Sequence, residues 1–234
     1  MNDINEKSPR EKRKKRRARD HRKEIIDVAT KAFIAKGFEQ TLVDQIAWTA
    51  EYSKATIYKY FPSKDDLFLA VIASVFDTLY DILFEYMQQP KVRFELRTLG
   101  DGYFHFVDQH TESAALFSSV QLGRAIESII QKETAGLTLT ESEKEFRGLQ
   151  LKLRDLMTKA ILNTLDRSDI GTKVEPTTIV MILSSLNSAI IDLILLGKKN
   201  NRPKEYVDVL FNILDNGLKN YDKDQSKTKM FETP

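Results

Sequence analysis

Apolar positions along this chain recur at spacings of three and four, so the segments they mark read as helices. Ile25, Val28, Ala29, Ala32 and Phe33 build one stripe over a first helix, residues 20–36. Gly37 follows where a left-handed C-cap is wanted, and Phe38 can fold back onto the stripe. Val43, Ile46, Ala47 and Ala50 give the inner face of a second, short helix. Trp48 falls off that face and is expected to pack, partly exposed, against the first helix. A third helix covers 53–60, with Ile57 and Phe61 turned inward, and Pro62 stops it because the residue before a proline leaves the α region.

Three hydroxyl residues punctuate this region. Thr41 and Ser63 each have an acid three positions on, Asp44 and Asp66, an aspartate variant of the capping box. Ser53 is placed to cap the third helix. Closely spaced starts mean short helices meeting at large angles, as in a helix-turn-helix.

Beyond residue 63 the helices lengthen. One is expected over 63–88, with Leu67, Val71, Val75, Leu79, Ile82 and Leu83 inward, ending before Pro90. Others follow over 94–109 (despite Gly100 and Gly102), 114–132 and 141–165, the last started by Thr140 or Ser142. The final pair, 176–196 and 203–221, each begin with proline near the first helical position. Residues 179–196 are apolar for 18 positions, but Asp192 costs roughly 2.5–3.5 kcal/mol at a bilayer centre. Asn187 and three serines add to that cost. Burial in a protein interior is the reading adopted, with no membrane partner.

Composition agrees with an all-α fold. Of 234 residues 41% are hydrophobic, while glycine and proline number only 9 and 6. There is no cysteine, which removes disulfides and Cys-based zinc sites, and His21, His105 and His110 are scattered. No metal or cofactor is expected. The basic N-terminus has no apolar segment after it, so no secretory signal is read and a cytoplasmic protein is expected. Glu141, Glu143 and Glu145 cluster at a helix start, where acids complement the dipole. No phosphate loop and no Ser/His/Asp order is visible, so an enzyme is not expected.

Charge changes the picture more. Residues 1–23 hold 11 Lys and Arg against 4 Asp and Glu, whereas residues 24–68 hold 5 against 7. The short-helix unit is therefore slightly acidic, and a basic segment of net +7 precedes it. Residues 1–19 contain nothing apolar enough to pack and read as a disordered arm that lies on phosphates. A helical extension of the next element is the alternative, since Lys, Arg, Glu and Ala tolerate helix.

The segment from 25 to 67 resembles the N-terminal domain of the tetracycline-repressor (TetR) family of bacterial transcription regulators. The residues that carry the likeness are Ala29, Phe33, Gly37, Thr41, Ile46, Ala47, Ala50, Ser53, Thr56, Ile57, Tyr58, Phe61, Ser63, Lys64 and Leu67. Two departures stand out. Glu51 and Tyr52 occupy a turn where the family carries glycine and a small aliphatic residue, and Ala55 replaces a frequent glycine. Glu51 is strained if the turn needs positive φ, and Ala55 offers a methyl to a thymine methyl.

The resemblance implies a layout: a basic arm over 1–19, a three-helix helix-turn-helix domain over 20–68, a larger helical effector-binding and dimerisation domain over 69–222, and a disordered tail over 223–234. It also implies a ligand-responsive regulator, a repressor, binding an inverted-repeat operator in double-stranded DNA as a homodimer through helices 176–196 and 203–221. Ser53, Lys54, Ala55 and Thr56 are the residues for the groove. Thr41, Tyr58, Lys59, Tyr60 and Lys64, with Arg16, Arg17 and Arg19 of the arm, are those for phosphate. A small lipophilic effector would lie among Phe104, His105, Phe117, Arg124, Phe146, Met157, Met181 and Asn187. The competing reading, a helical small-molecule carrier or adaptor whose head no longer reads sequence, rests on Glu51 and Ala55.

Overall fold

The computed structural model describes residues 8–89 and 96–167, with scattered positions between 196 and 216. Among them every regular element is a helix. Helix α1 (Pro9–Gln40) starts eleven residues before the helix start expected at residue 20. A capping box sets that start: the Ser8 hydroxyl accepts from the Glu11 amide, and the Glu11 carboxylate accepts from the Ser8 amide at 2.9 Å. Pro9 adds a preset φ. Residues 9–19 are thus the opening turns of α1, and the boundary drawn at residue 20 disappears from the backbone. The side chains there remain solvated, as their charge requires, but good helix formers under a proper cap need no apolar contact to stay helical.

Gly37 breaks α1 at φ 71°, ψ 172°. The break turns Phe38 back onto Phe33 and Phe68, with ring centroids 5.8 and 5.2 Å apart. Helix α2 (Val43–Thr49) and helix α3 (Lys54–Tyr60) complete the head, and Ile46, Ile57 and Phe61 are buried between them and α1. Such a side chain contributes about 1.5–3 kcal/mol by leaving water. Trp48 differs from expectation. It is 86% exposed and does not pack on α1.

Helix α4 (Lys64–Met87) is the spine, packing against α1, α5 and α8. Leu67, Val71, Val75, Leu79 and Leu83 are buried as the spacing predicts, with Ile82 partly so. Its length and apolarity would suffice to cross a membrane, yet 56% of its most apolar window is buried inside the protein. It is a core helix. Helix α5 (Leu96–Gln109) runs close beside it, because a Cβ on Gly102 would stand 2.8 Å from the Leu83 side chain. Helix α6 (Thr111–Ala114) and a 3-10 turn (Ala115–Ser118) lead to helix α7 (Val120–Thr134) and helix α8 (Glu141–Arg167). The expected helices 176–196 and 203–221 and the tail lie outside the described residues except at scattered positions. Of these, Asp208 pairs with Arg97 and Leu210 packs against the core.

Candidate nucleic-acid interface

The turn between α2 and α3 closes through the Tyr52 amide, which donates to the Ala47 carbonyl at 2.9 Å. It requires Glu51 at φ 59°, the left-handed region that the sequence put in question. The glutamate adopts it, so the departure from glycine leaves the turn intact. Tyr52 ties the turn to α1 by donating to the Glu24 carboxylate at 2.6 Å, and this bond pushes its hydroxyl up to about 12. Ser53 caps α3, accepting from the Thr56 amide at 3.1 Å. Its Oγ also lies 2.8 Å from the Thr56 hydroxyl. With Ile57 and Phe61 held in the core, Ser53, Lys54, Ala55, Tyr58 and Lys59 are exposed. Lys54 pairs with Asp44 at 3.0 Å, and that hydrogen bond raises its pKa. An exposed pair of this kind exchanges readily for a phosphate.

Not every expected contact faces outward. Thr41 is fully buried: its hydroxyl donates to the Ala32 and Gly37 carbonyls at 3.2 and 2.7 Å. It neither caps α2, whose N-cap is Leu42 without a side-chain bond, nor offers its side chain to phosphate. The Lys64 ammonium sits 4.2 Å over the Phe38 ring and donates to the Glu39 carbonyl, close to the surface. Tyr60 is half-buried, its hydroxyl 3.5 Å from His21 Nδ1. Arg10, Arg13, Lys14 and Arg17 line a groove of about 840 Å³ against Lys59 and Tyr60. Arg17 is thus beside α3, whereas Arg16 and Arg19 do not line this groove.

A polar cluster that the sequence did not reveal joins the head to the larger domain. Ser63 caps α4 by accepting from the Asp66 amide at 3.0 Å, but the Asp66 carboxylate does not reciprocate. It is buried and accepts instead from Thr140 and Ser142 at the start of α8. Arg22 of α1 donates to Ser142 at 3.1 Å, pairs with Glu145 at 2.8 Å and lies 5.0 Å over Phe61. Burial pushes the Glu145 carboxyl up, against the pull of Arg22. Glu143 accepts from the Thr140 amide and pairs with Lys132, so of the three clustered acids two are engaged rather than solvated. The bonds of Asp66 and Arg22 to Thr140, Ser142 and Glu145 link residues more than 70 positions apart, beyond the reach of local spacing.

Residues 25–71 match the family described as bacterial regulatory proteins, tetR family. This segment is a TetR-family N-terminal domain. The HTH-type transcriptional regulator YuxN of Bacillus subtilis, itself uncharacterized, is 22% identical over 203 residues, 86% of this chain. The chain spans 64% of that relative's length. IcaR of Staphylococcus aureus, the negative transcriptional regulator of a biofilm operon, is 32% identical over 83 residues, 36% of this chain and 44% of that protein. Among solved structures, the transcriptional regulator FadR from Bacillus subtilis in complex with stearoyl-CoA superposes with a TM-score of 0.61. It covers 83% of this chain and 97% of that one at 14% identity, a likeness of fold.

Within the TetR fold, the described residues expected around an effector separate into three groups. Phe117 and Phe146 are buried against Phe76, with centroids 4.6 and 5.3 Å away, and fill the core rather than line a space. Phe104 and Met157 are partly buried at its edge. His105 and Arg124 are exposed, and Arg124 lines a surface groove near Pro62 and Gln121. These positions thus span core, core edge and surface, and Met181 and Asn187 lie outside the described residues. Among the described residues no cluster of His, Asp and Glu has metal-binding geometry.

Proposed function

We propose that this protein, with its TetR-family N-terminal domain, is a cytoplasmic transcription repressor that binds an inverted-repeat operator as a homodimer and releases it when a small lipophilic effector occupies the larger domain. The observation that carries this reading is α3 itself. Ser53 caps it, Ile57 and Phe61 anchor it, and small or cationic residues cover its free face. Short residues at the start of a groove helix let the backbone approach base edges, while Lys and Tyr donate to phosphate. Catalysis has no part in this reading.

Dimerisation through the C-terminal helices is supported by apolar residues left outside: Val209 is 53% exposed and Ile213, four positions on, 63%. A two-fold dimer would set two copies of α3 about one DNA turn apart, roughly 34–36 Å. Helix α4 carries the head and also lines the larger domain. A shift of α4 would change the separation of the heads, and an effector drives that shift only by binding the released state more tightly. The shared fold with a regulator that holds stearoyl-CoA makes a long-chain acyl thioester the first probe.

Light scattering of the protein with an operator enriched from random duplexes tests the assembly. Two chains per duplex, released by added stearoyl-CoA or another lipophilic ligand, are expected. One chain per duplex would overturn the dimeric reading, and indifference to every lipophilic ligand tried would overturn the effector.

A further inference from the structure

We infer that the opening turns of α1 and the end of α3 form a second DNA site, a groove that holds the phosphodiester backbone beside the bases under α3. At 100° per residue, Arg10, Arg13, Lys14 and Arg17 fall within an arc of about 100° on one side of α1. Lys15, Arg16, Arg19 and Lys23 fall within a similar arc on the opposite side. The structure gives the first row a partner surface: these four side chains line the groove shared with Lys59 and Tyr60.

Three observations select a DNA backbone as the occupant. The row is held on one face of a helix, because the Ser8–Glu11 box and Pro9 set the helix start. From Arg10 to Arg17 the row covers eight residues, about 12 Å at 1.5 Å each, enough to run beside roughly three to four phosphates at 3.4 Å per step. The groove also continues from α3, whose Lys59 is exposed at its edge. The remainder of the head, with 5 Lys and Arg against 7 Asp and Glu over residues 24–68, supplies no comparable attraction. Contacts to phosphate carry no sequence information, so this groove provides grip and α3 provides choice.

The inference rests on the DNA-binding reading of α3 but not on which bases α3 prefers. The test uses the full-length protein, an operator duplex and a random duplex, with affinity followed by fluorescence anisotropy across a salt series. One variant neutralises the groove row (R10Q, R13Q, K14Q, R17Q) and a matched variant the opposite row (K15Q, R16Q, R19Q, K23Q). Glutamine keeps the helix. The groove variant should lower the slope of log affinity against log salt by about 3–4 per protomer, at about 0.9 per lost phosphate contact. The matched variant should lower it by less than about 1. Equal losses would mean a diffuse cationic cloud and overturn the groove, as would no loss in either. A wild-type protein that prefers no operator yet shows this contrast between variants supports the groove while the reading of α3 fails. Operator preference without the contrast has the opposite meaning.

Discussion

Glu51 occupies the left-handed region at φ 59°, where an L side chain meets the following carbonyl at a cost of about 1–2 kcal/mol. Glutamate at that position gains no compensating side-chain bond among the described contacts of the turn, which is held by the Tyr52 amide and hydroxyl. Glu51→Gly should therefore raise stability by about 0.5–1 kcal/mol, net of the extra freedom glycine gives the unfolded chain. Urea unfolding checks it, and an unchanged or lower midpoint would contradict the assignment of strain. The Tyr52 bond has its own signature. A hydroxyl pushed up to about 12 contributes stability below pH 10 that is lost as pH rises through 12. The position of Glu51 was legible in the sequence because glycine is usual there. Thr41 was not: Thr-x-x-Asp spacing is the same whether the hydroxyl caps forward or bonds back to Ala32 and Gly37.

Helices α1, α3, α4 and α8 follow their apolar spacing, since amphipathic periodicity and core facing are the same fact seen twice. The opening of α1 escaped that logic. Its helicity comes from a cap and from propensity, and the Ser8–Glu11 spacing was the available signal. The joint between head and body was illegible for a different reason. Asp66 reads as a local cap partner, yet its carboxylate crosses to Thr140 and Ser142. That joint fastens the start of α8 to α4, and through Ser142 and Arg22 to α1. Asp66→Ala removes the acceptor from two hydroxyls and should cost about 1–3 kcal/mol. Denaturant unfolding measures it; a change below about 0.5 kcal/mol would show that the joint does not hold the elements together.

At the scale of the whole molecule, a basic helical extension precedes a slightly acidic head, which α4 connects to a helical body. The sequence made the charge asymmetry visible. It did not reveal which arm cations stand beside α3, because that depends on the helical phase fixed at Ser8. Under the proposed function, α3 chooses the bases. Selection from a random duplex pool, run in parallel with wild type and with the double variant K54A/T56A, tests it. Wild type should return an inverted repeat with half-sites one helical turn, or a multiple, apart. The variant should keep that spacing while the bases within each half-site change. No enrichment by wild type, or the same half-site from both proteins, would contradict the claim.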